Sequence, residues 1–315
     1  PPQPMIMGFI DQMRAKGHAV ESICRVLRQE GCQIAARTYR AWRRRSASAR
    51  DTSDAVLLNV LHDLVGTPEG LYGRRKMTAW LRREGHQVGA GRVDRLMRVA
   101  GMNGVRRGRP VRTTVPAKDG CRAGDLLNRD FTAAAPNTKW VADFTYVRTW
   151  AGFVYVAFVL DCYSQRILAW HAATAKTTPL VLTPLRIALW DRDRHGHPVQ
   201  PGELIAHSDA GSQYTSLRFA EHLAAEGIAA SIGTVADAYD NALMECVIGL
   251  YKTECITTTI FHNGPYKTIA DVEYATAGWV EWYNNRRLHS SLAMTTPAEY
   301  ETAYYAALNR ELAPT

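Results

Sequence analysis

Asp143, Asp209 and Glu245 are three acids in three different local contexts. Asp143 lies within Trp140-Val141-Ala142-Asp143-Phe144-Thr145-Tyr146-Val147, a strand-like run. Asp209 follows the short apolar run Leu204-Ile205-Ala206 and opens a Gly/Ser turn. Glu245 falls in the first turns of a helix-like segment, and Lys252 comes seven residues later. Oxygen ligands suit a hard Mg²⁺ (or Mn²⁺) ion. Two such ions held by three carboxylates can clamp the attacking and leaving oxygens of a phosphodiester. Seven residues is close to two helical turns, so Glu245 and Lys252 share a face, and Asn241, four residues before Glu245, joins them. Asp240 is a candidate N-cap for that helix.

Taken singly, each residue has an ordinary role. An Asp after a strand is a turn former, and a Glu and a Lys on a helix make a solvated face. Asp161 reads as a hairpin-turn residue. His207, two residues before Asp209, either positions water or DNA or packs at a strand end. The chain has no His-Glu-x-x-His, Walker loop or Gly-x-Ser-x-Gly, so metalloprotease, nucleotidase and hydrolase-elbow chemistry have no support.

The elements that must position these acids follow from the pattern. Residues 5–46 read as three short helices, Met5–Met13, Val20–Leu27 and Ile34–Arg45, the last basic; this suits a helix-turn-helix. Ser46–Asp54 reads as a polar linker. Helices are expected over Asp54–Val65, Arg74–Glu84 and Gly91–Val99, with Gly85 and Gly101 as stops. Residues 102–136 are rich in Gly, Pro and Arg and read as a linker. From Trp140 the period changes to that of strands: Trp140–Val147, Phe153–Leu160 and Arg166–His171. A helix over Thr178–Asp191 contains Pro184, which kinks it or makes Thr183 its start. Strand Glu203–His207, helix Leu217–Ala225, strand Ile228–Ile232 and helix Asn241–Cys255 follow. The order βββαβαβα is that of an α/β, ribonuclease-H-like fold, a mixed five-stranded sheet with flanking helices. All-α modules of helix-turn-helix type precede it. In that arrangement the first and fourth strands are neighbours. The tail holds a helix over Val272–Asn285, the basic Arg286-Arg287-Leu288-His289, and a last helix opened by Thr296-Pro297-Ala298-Glu299.

Bulk charge agrees with a polyanion partner. Residues 1–113 carry 22 Lys+Arg against 9 Asp+Glu, whereas the other 202 carry 16 against 21. A basic front on a mildly acidic back reads as a nucleic-acid-binding module joined to something else. The candidate DNA contacts are Arg40, Arg43, Arg44, Arg45, Arg74, Arg75, Lys76, Arg106, Arg107, Arg109, Asn241, Lys252, Arg286 and Arg287. The six scattered cysteines read as reduced thiols of a cytosolic protein. The longest apolar run, Phe153–Leu160, is far short of a membrane span.

Four strings carry a family resemblance: Trp140-Val141-Ala142-Asp143-Phe144-Thr145-Tyr146; His207-Ser208-Asp209-Ala210-Gly211-Ser212-Gln213-Tyr214-Thr215-Ser216; Tyr239-Asp240-Asn241-Ala242-Leu243-Met244-Glu245; and Trp282-Tyr283-Asn284-Asn285-Arg286-Arg287-Leu288-His289. Together they resemble the DDE transposases of the bacterial insertion-sequence-three family, the second reading frame, with a retroviral-integrase-like core. Gly70-Leu71-Tyr72-Gly73-Arg74-Arg75 resembles the helical module before that core. The resemblance implies a catalytic triad of Asp143, Asp209 and Glu245 on two Mg²⁺ ions, with Lys252 as the basic companion. It implies Mg²⁺-dependent cleavage of element ends and strand transfer. The partners implied are double-stranded DNA (terminal inverted repeats and target) and further copies of the chain, at least a dimer on DNA. Fusion to, or cooperation with, an upstream-frame DNA-binding protein is also implied, and the place of action is the bacterial nucleoid in the cytoplasm. The expected domains are 1–48 (helix-turn-helix-like), 51–101 (second helical module), 102–136 (basic linker), 137–300 (integrase core) and 301–315 (C-terminal helix and tail). A DNA-binding regulator without catalysis and a ribonuclease-H-like nuclease are the rival readings.

Overall fold

The structure, a computed structural model, describes residues 1–45, 47–106, 126–127, 130–209, 213–232 and 241–312. The chain divides into two compact units, Pro1–Asn59 and Val60–Thr315. In the first, helices α1 (Gln3–Ala15), α2 (Val20–Gln29) and α3 (Ala36–Arg44) close around Ile10, Ile23, Cys24, Ile34 and Tyr39. The Tyr39 hydroxyl donates to Asp11 and accepts from Arg14 Nη1 at 3.0 Å, tying α3 to α1.

The stretch 46–54, expected to be a polar linker, is largely helical: α4 spans Ala49–Asp63. Its polar residues serve as a cap and a wet face. Ser48 Oγ accepts from the Asp51 N–H at 3.1 Å, and the Asp51 carboxylate accepts from the Ser48 N–H at 3.2 Å. This reciprocal pair satisfies donors that a helix start leaves open.

In the second unit, a 3₁₀ turn at Pro68–Leu71 leads to α5 (Arg74–Arg83) and α6 (Ala90–Val99). Gly70 permits that turn, because a Cβ there would stand 2.4 Å from the Leu64 carbonyl oxygen. The Tyr72 hydroxyl donates to the Arg286 carbonyl at 3.2 Å and accepts from the Leu288 N–H at 3.0 Å, and its ring stacks on Trp282 at 6.0 Å. The buried Glu69 accepts from Trp282 Nε1 at 3.0 Å. The segments 69–72 and 282–288, over two hundred residues apart, are thus packed together.

The sheet contains β1 (Lys139–Thr149), β2 (Gly152–Asp161), β3 (Ile167–Ala173), β4 (Ile205–Ser208) and β5 (Ala229–Ile232), in the order β3-β2-β1-β4-β5. β1 is antiparallel to β2 and parallel to β4; β2 is antiparallel to β3, and β4 parallel to β5. This is the mixed five-stranded sheet expected. Helices α7 (Thr178–Arg194) and α8 (Leu217–Ala225) cover one face through Trp140, Val159, Ala169, Leu185 and Phe219. α7 continues through Pro184, so its start is at Thr178 and not at Thr183. On the other face Phe158 meets Tyr251 at 5.1 Å and Trp279 of α10 (Ile269–Asn285) at 6.1 Å. Cover on both sides explains why β2 is apolar along nearly its whole length.

Asp161 borders the β2–β3 turn as expected, but it is more than a turn former. It ends β2, fully buried, and its carboxylate accepts from the Asn137 and Tyr163 N–H groups, both at 2.8 Å, and from Arg192 Nη2 at 3.2 Å. Arg192, 1% exposed, also pairs with Glu301, whose carboxylate takes the Ser164 hydroxyl at 2.8 Å and Arg166 Nη1 at 3.1 Å. Glu301 belongs to α11 (Pro297–Leu312), whose capping box forms between Thr296 and Glu299. The last helix is therefore bonded into the core, although the sequence suggested a separate tail. Glu301→Ala leaves the Arg192 guanidinium buried with one partner fewer and should destabilise the unit by about 3–5 kcal/mol; a urea-unfolding midpoint measures it.

Candidate active site at the end of the central strands

The β1/β4 register runs from Lys139↔Ile205 to Ala142↔Ser208. The next residue in each case is Asp143, still inside β1, and Asp209, just past the end of β4, so the two acids follow directly on paired positions of strands roughly 4.8 Å apart. β4 ends there, and among the described residues β1 continues with no strand beside it on that side. Helix α9 (Ala242–Leu250) is anchored at this corner. The buried Asn241, which precedes it, donates Nδ2–H to the Ala142 carbonyl at 3.2 Å, next to Asp143. Met244 and Val247 face inward, while Glu245 is exposed in the first turn. Asp240, expected as the N-cap, lies outside the described residues.

After Leu250 the helix widens into a π turn, Tyr251–Ile256, in which the Thr257 N–H reaches back five residues to the Lys252 carbonyl at 2.9 Å. Such turns re-aim side chains that a regular helix would hold at fixed spacing. Lys252 is half-buried here, its Nζ 4.9 Å from the Tyr146 ring centroid.

Electrostatics tie these groups together. Burial raises the Asp143 carboxyl well above the usual carboxylate range, and the Asp209 charge raises it further. The Phe144 N–H, 2.7 Å from Oδ1, pulls back; Glu245 adds to the rise and Lys252 opposes it. Burial lowers Lys252, with the Asp143 charge acting against it. Tyr214, buried with no hydrogen-bond partner for its hydroxyl among the described residues, is raised by burial and then by Asp143 and Asp209. Negative charge is therefore in surplus at this corner, which is the field a divalent cation relieves. The donors fit such an ion in kind, being carboxylate oxygens throughout. Among the described residues, no three His, Cys, Asp or Glu side chains stand close enough to enclose one; Glu245 lies at the rim.

The expected DNA contacts separate by burial. Arg43, Arg44, Arg45, Arg74, Arg75 and Arg106 are exposed. Arg40 is half-exposed and paired with Glu21. Arg286 is half-exposed near Glu69 and Glu281. Arg107 and Arg109 lie outside the described residues. Arg287 is turned inward: it is 4% exposed and bound to the Glu254 carboxylate, with Nε 2.9 Å and Nη2 2.6 Å from its oxygens. It is a core ion pair and not a DNA contact, and its neighbour Arg286 carries the exposed charge. Asn241 is likewise a buried latch. His207 packs at the strand end, with Nδ1 2.8 Å from Ser231 Oγ. Tyr214 lies in a motif string, yet only the fold shows that it stands in the field of Asp143 and Asp209; Tyr146, in another string, meets Lys252.

Comparison with known proteins agrees with this arrangement. Residues 133–238 and 226–297 match two models of the integrase core domain, and residues 56–110 match an HTH-like domain. Such a core on a β3-β2-β1-β4-β5 sheet defines a ribonuclease-H-like polynucleotidyl transferase. The putative transposase for insertion sequence element IS986/IS6110 of Mycobacterium tuberculosis (strain ATCC 25177 / H37Ra) is 45% identical over 89% of this chain and 99% of its own length. The transposase for element IS629 of Shigella sonnei is 44% identical over 84% of this chain and 85% of its own. The transposase InsF for IS3A of Escherichia coli (strain K12) is 29% identical over 93% and 97%. The chain belongs to the DDE transposases of the insertion-sequence-three family. No helix among the described residues is long and apolar enough to cross a membrane.

Lys76, expected on DNA, is only partly exposed, lies 5.8 Å above the Tyr72 ring, and is lowered to about 7, by burial first and then by the Arg287 charge. Its folded pKa lies below the 10.5 of the free amine, so between about pH 7 and 10.5 the unfolded chain binds more protons, and stability rises with pH through that window. The cost of the buried cation is fully present below about pH 7. Lys76→Met should therefore stabilise the protein most at about pH 6–7, with the gain shrinking toward pH 10; unfolding midpoints of both proteins across that range test it.

Proposed function

We propose that this transposase cuts phosphodiesters at the ends of its insertion sequence and joins the freed 3′ ends to new strands at one site built from Asp143, Asp209 and Glu245. The observation that carries the reading is the β1/β4 register, which sets Asp143 and Asp209 directly after paired positions, beside the Asn241 latch that starts the helix carrying Glu245. Asp143, Asp209 and Glu245 would hold two Mg²⁺ ions, or Mn²⁺. When bound, paired divalent ions activate the attacking hydroxyl and neutralise charge on the leaving 3′ oxygen. The protein's own share is positioning and charge. Asn241 fixes the start of α9 against β1, and so sets where Glu245 stands. Lys252, the cation closest in influence to Asp143, is placed to meet a phosphate oxygen. Water or a DNA 3′ hydroxyl attacks in line, and no covalent link between protein and DNA forms.

The exposed arginines of α3 and α5 support recognition of the terminal inverted repeats by the two helical modules, with residues 102–136 as a basic linker to the core. Two element ends must be held at once, so the working form is at least a dimer on DNA, with or without an upstream-frame segment. It acts on the bacterial chromosome in the cytoplasm.

Asp143→Asn, Asp209→Asn and Glu245→Gln should each lower nicking and joining by more than about a hundredfold while end binding persists. Lys252→Ala should slow both steps with metal binding retained. Gel assays of strand joining on a labelled element-end duplex, with and without Mg²⁺, read all four variants, and near wild-type joining by any variant removes that residue from the site. End binding itself should weaken steeply between about 50 and 200 mM salt, as phosphate contacts release counterions.

A further inference from the structure

Beyond Asp143, strand β1 carries a row of groups that the reaction above does not use. Tyr146, Trp150 and Phe153 all sit on the β1–β2 hairpin and are 40%, 73% and 44% exposed. Single exposed aromatics need no explanation. These three differ because each has a cation over its ring. Lys252 Nζ lies 4.9 Å from the Tyr146 centroid, Arg148 5.7 Å from Phe153, and Lys267 Nζ 5.6 Å from Trp150. Tyr146 and Phe153 also meet edge to face at 5.2 Å. Arg148 pairs directly across from Phe153 in the sheet register, so these two and Tyr146 share one face. Among the described residues, none of the three cations has an ion pair with a carboxylate.

The row is also held in place. The Trp150 N–H donates to the Tyr266 carbonyl and the Ala151 N–H to the Lys267 carbonyl, both at 3.0 Å, so the hairpin tip is bonded to the segment before α10. From Asp143 to Trp150 the strand runs roughly 20 Å, enough for several nucleotides.

We propose that this hairpin is a stacking platform for unpaired DNA nucleotides running outward from the reacting phosphodiester. The proposal rests on the function above only for the position of that phosphodiester. Ring faces bind bases where the bases are unstacked from a duplex, and every base has a π face, so such a surface is tolerant of sequence. Arg148 and Lys267 meet the phosphates between the bases, while Lys252 stays with the reacting phosphate. A second copy of the chain fits less well, because a symmetric contact would set the same three cations against their own duplicates.

The test uses the full-length chain and fluorescence anisotropy with two probes, a single-stranded oligo(dT) of about a dozen nucleotides and a blunt duplex. The Trp150→Ala/Phe153→Ala double variant removes two exposed rings far from the triad. It should bind oligo(dT) at least about tenfold more weakly and the blunt duplex as wild type does, and Trp150→Phe should retain most of the affinity. Unchanged oligo(dT) binding overturns the proposal. So does an equal loss on both probes, which would mark a general basic surface. A change in oligomeric state without DNA, read by light scattering, would assign the hairpin to a contact between copies and overturns it as well. Asp143→Asn serves as the separating control: it should keep oligo(dT) binding while losing strand joining. Should wild-type chain fail to join strands while the platform variant still loses oligo(dT), the proposed function fails and the platform stands.

Discussion

Like charges have to share one corner of this molecule. Asp143 and Asp209 repel one another, the Glu245 charge at the rim adds to the repulsion, and keeping the two aspartates adjacent takes a stiff frame. The frame is the parallel pairing of β1 and β4, whose backbone bonds stop one residue short of both aspartates. Slippage of that pairing by one residue would send one acid to the opposite face of the sheet. Most of the second unit works against such slippage. α7 and α8 pack on one face, Phe158, Tyr251 and Trp279 fill the other, and the Asp161–Arg192–Glu301 ion network closes the C-terminal end of β2.

The strand and helix order was legible because each element carries its own pattern. β1 and β2 are apolar runs bounded by turns, α5 and α6 end at Gly85 and Gly101 with left-handed φ of +88° and +68°, and Thr296-Pro297-x-Glu299 marks a helix start that forms as written. The adjacency of Asp143 and Asp209 was legible for a related reason: strand order makes β1 and β4 neighbours, and both acids follow the last paired residues. What failed was anything decided by a partner distant in sequence. Arg286 and Arg287 look alike on the page, yet one faces water and the other a glutamate 33 residues away on the π turn. Asp161 resembles any turn aspartate until Arg192 arrives from α7. The polar stretch before Asp54 lacked apolar spacing, so the capping pair of Ser48 and Asp51 was overlooked as the beginning of a helix.

The π turn deserves comparison with the regular helix that spacing suggested. With 3.6 residues per turn, Glu245 and Lys252 would project from one stripe at fixed separation. The wider turn begins at Tyr251, just before the lysine, and Tyr251 is itself pinned by Phe158, Trp279 and the Thr276 hydroxyl at 2.7 Å. The position of Lys252 is thereby governed by packing beneath it as much as by its own helix. The same lysine closes over Tyr146, so the cation near the acids and the first ring of the exposed hairpin form one arrangement.

Tyr72 carries a consequence for where this chain can be divided. Its hydroxyl serves both the Arg286 carbonyl and the Leu288 N–H, and its ring covers Trp282, whose indole N–H is bound by Glu69. A fragment begun after the basic stretch at 102–136 would keep the sheet and all three acids. It would also bare a tryptophan and strand two main-chain polar groups that water reaches poorly. Excising the segment around residue 70 is therefore surgery on the core, because a few residues with the look of a neighbouring module supply part of its wall.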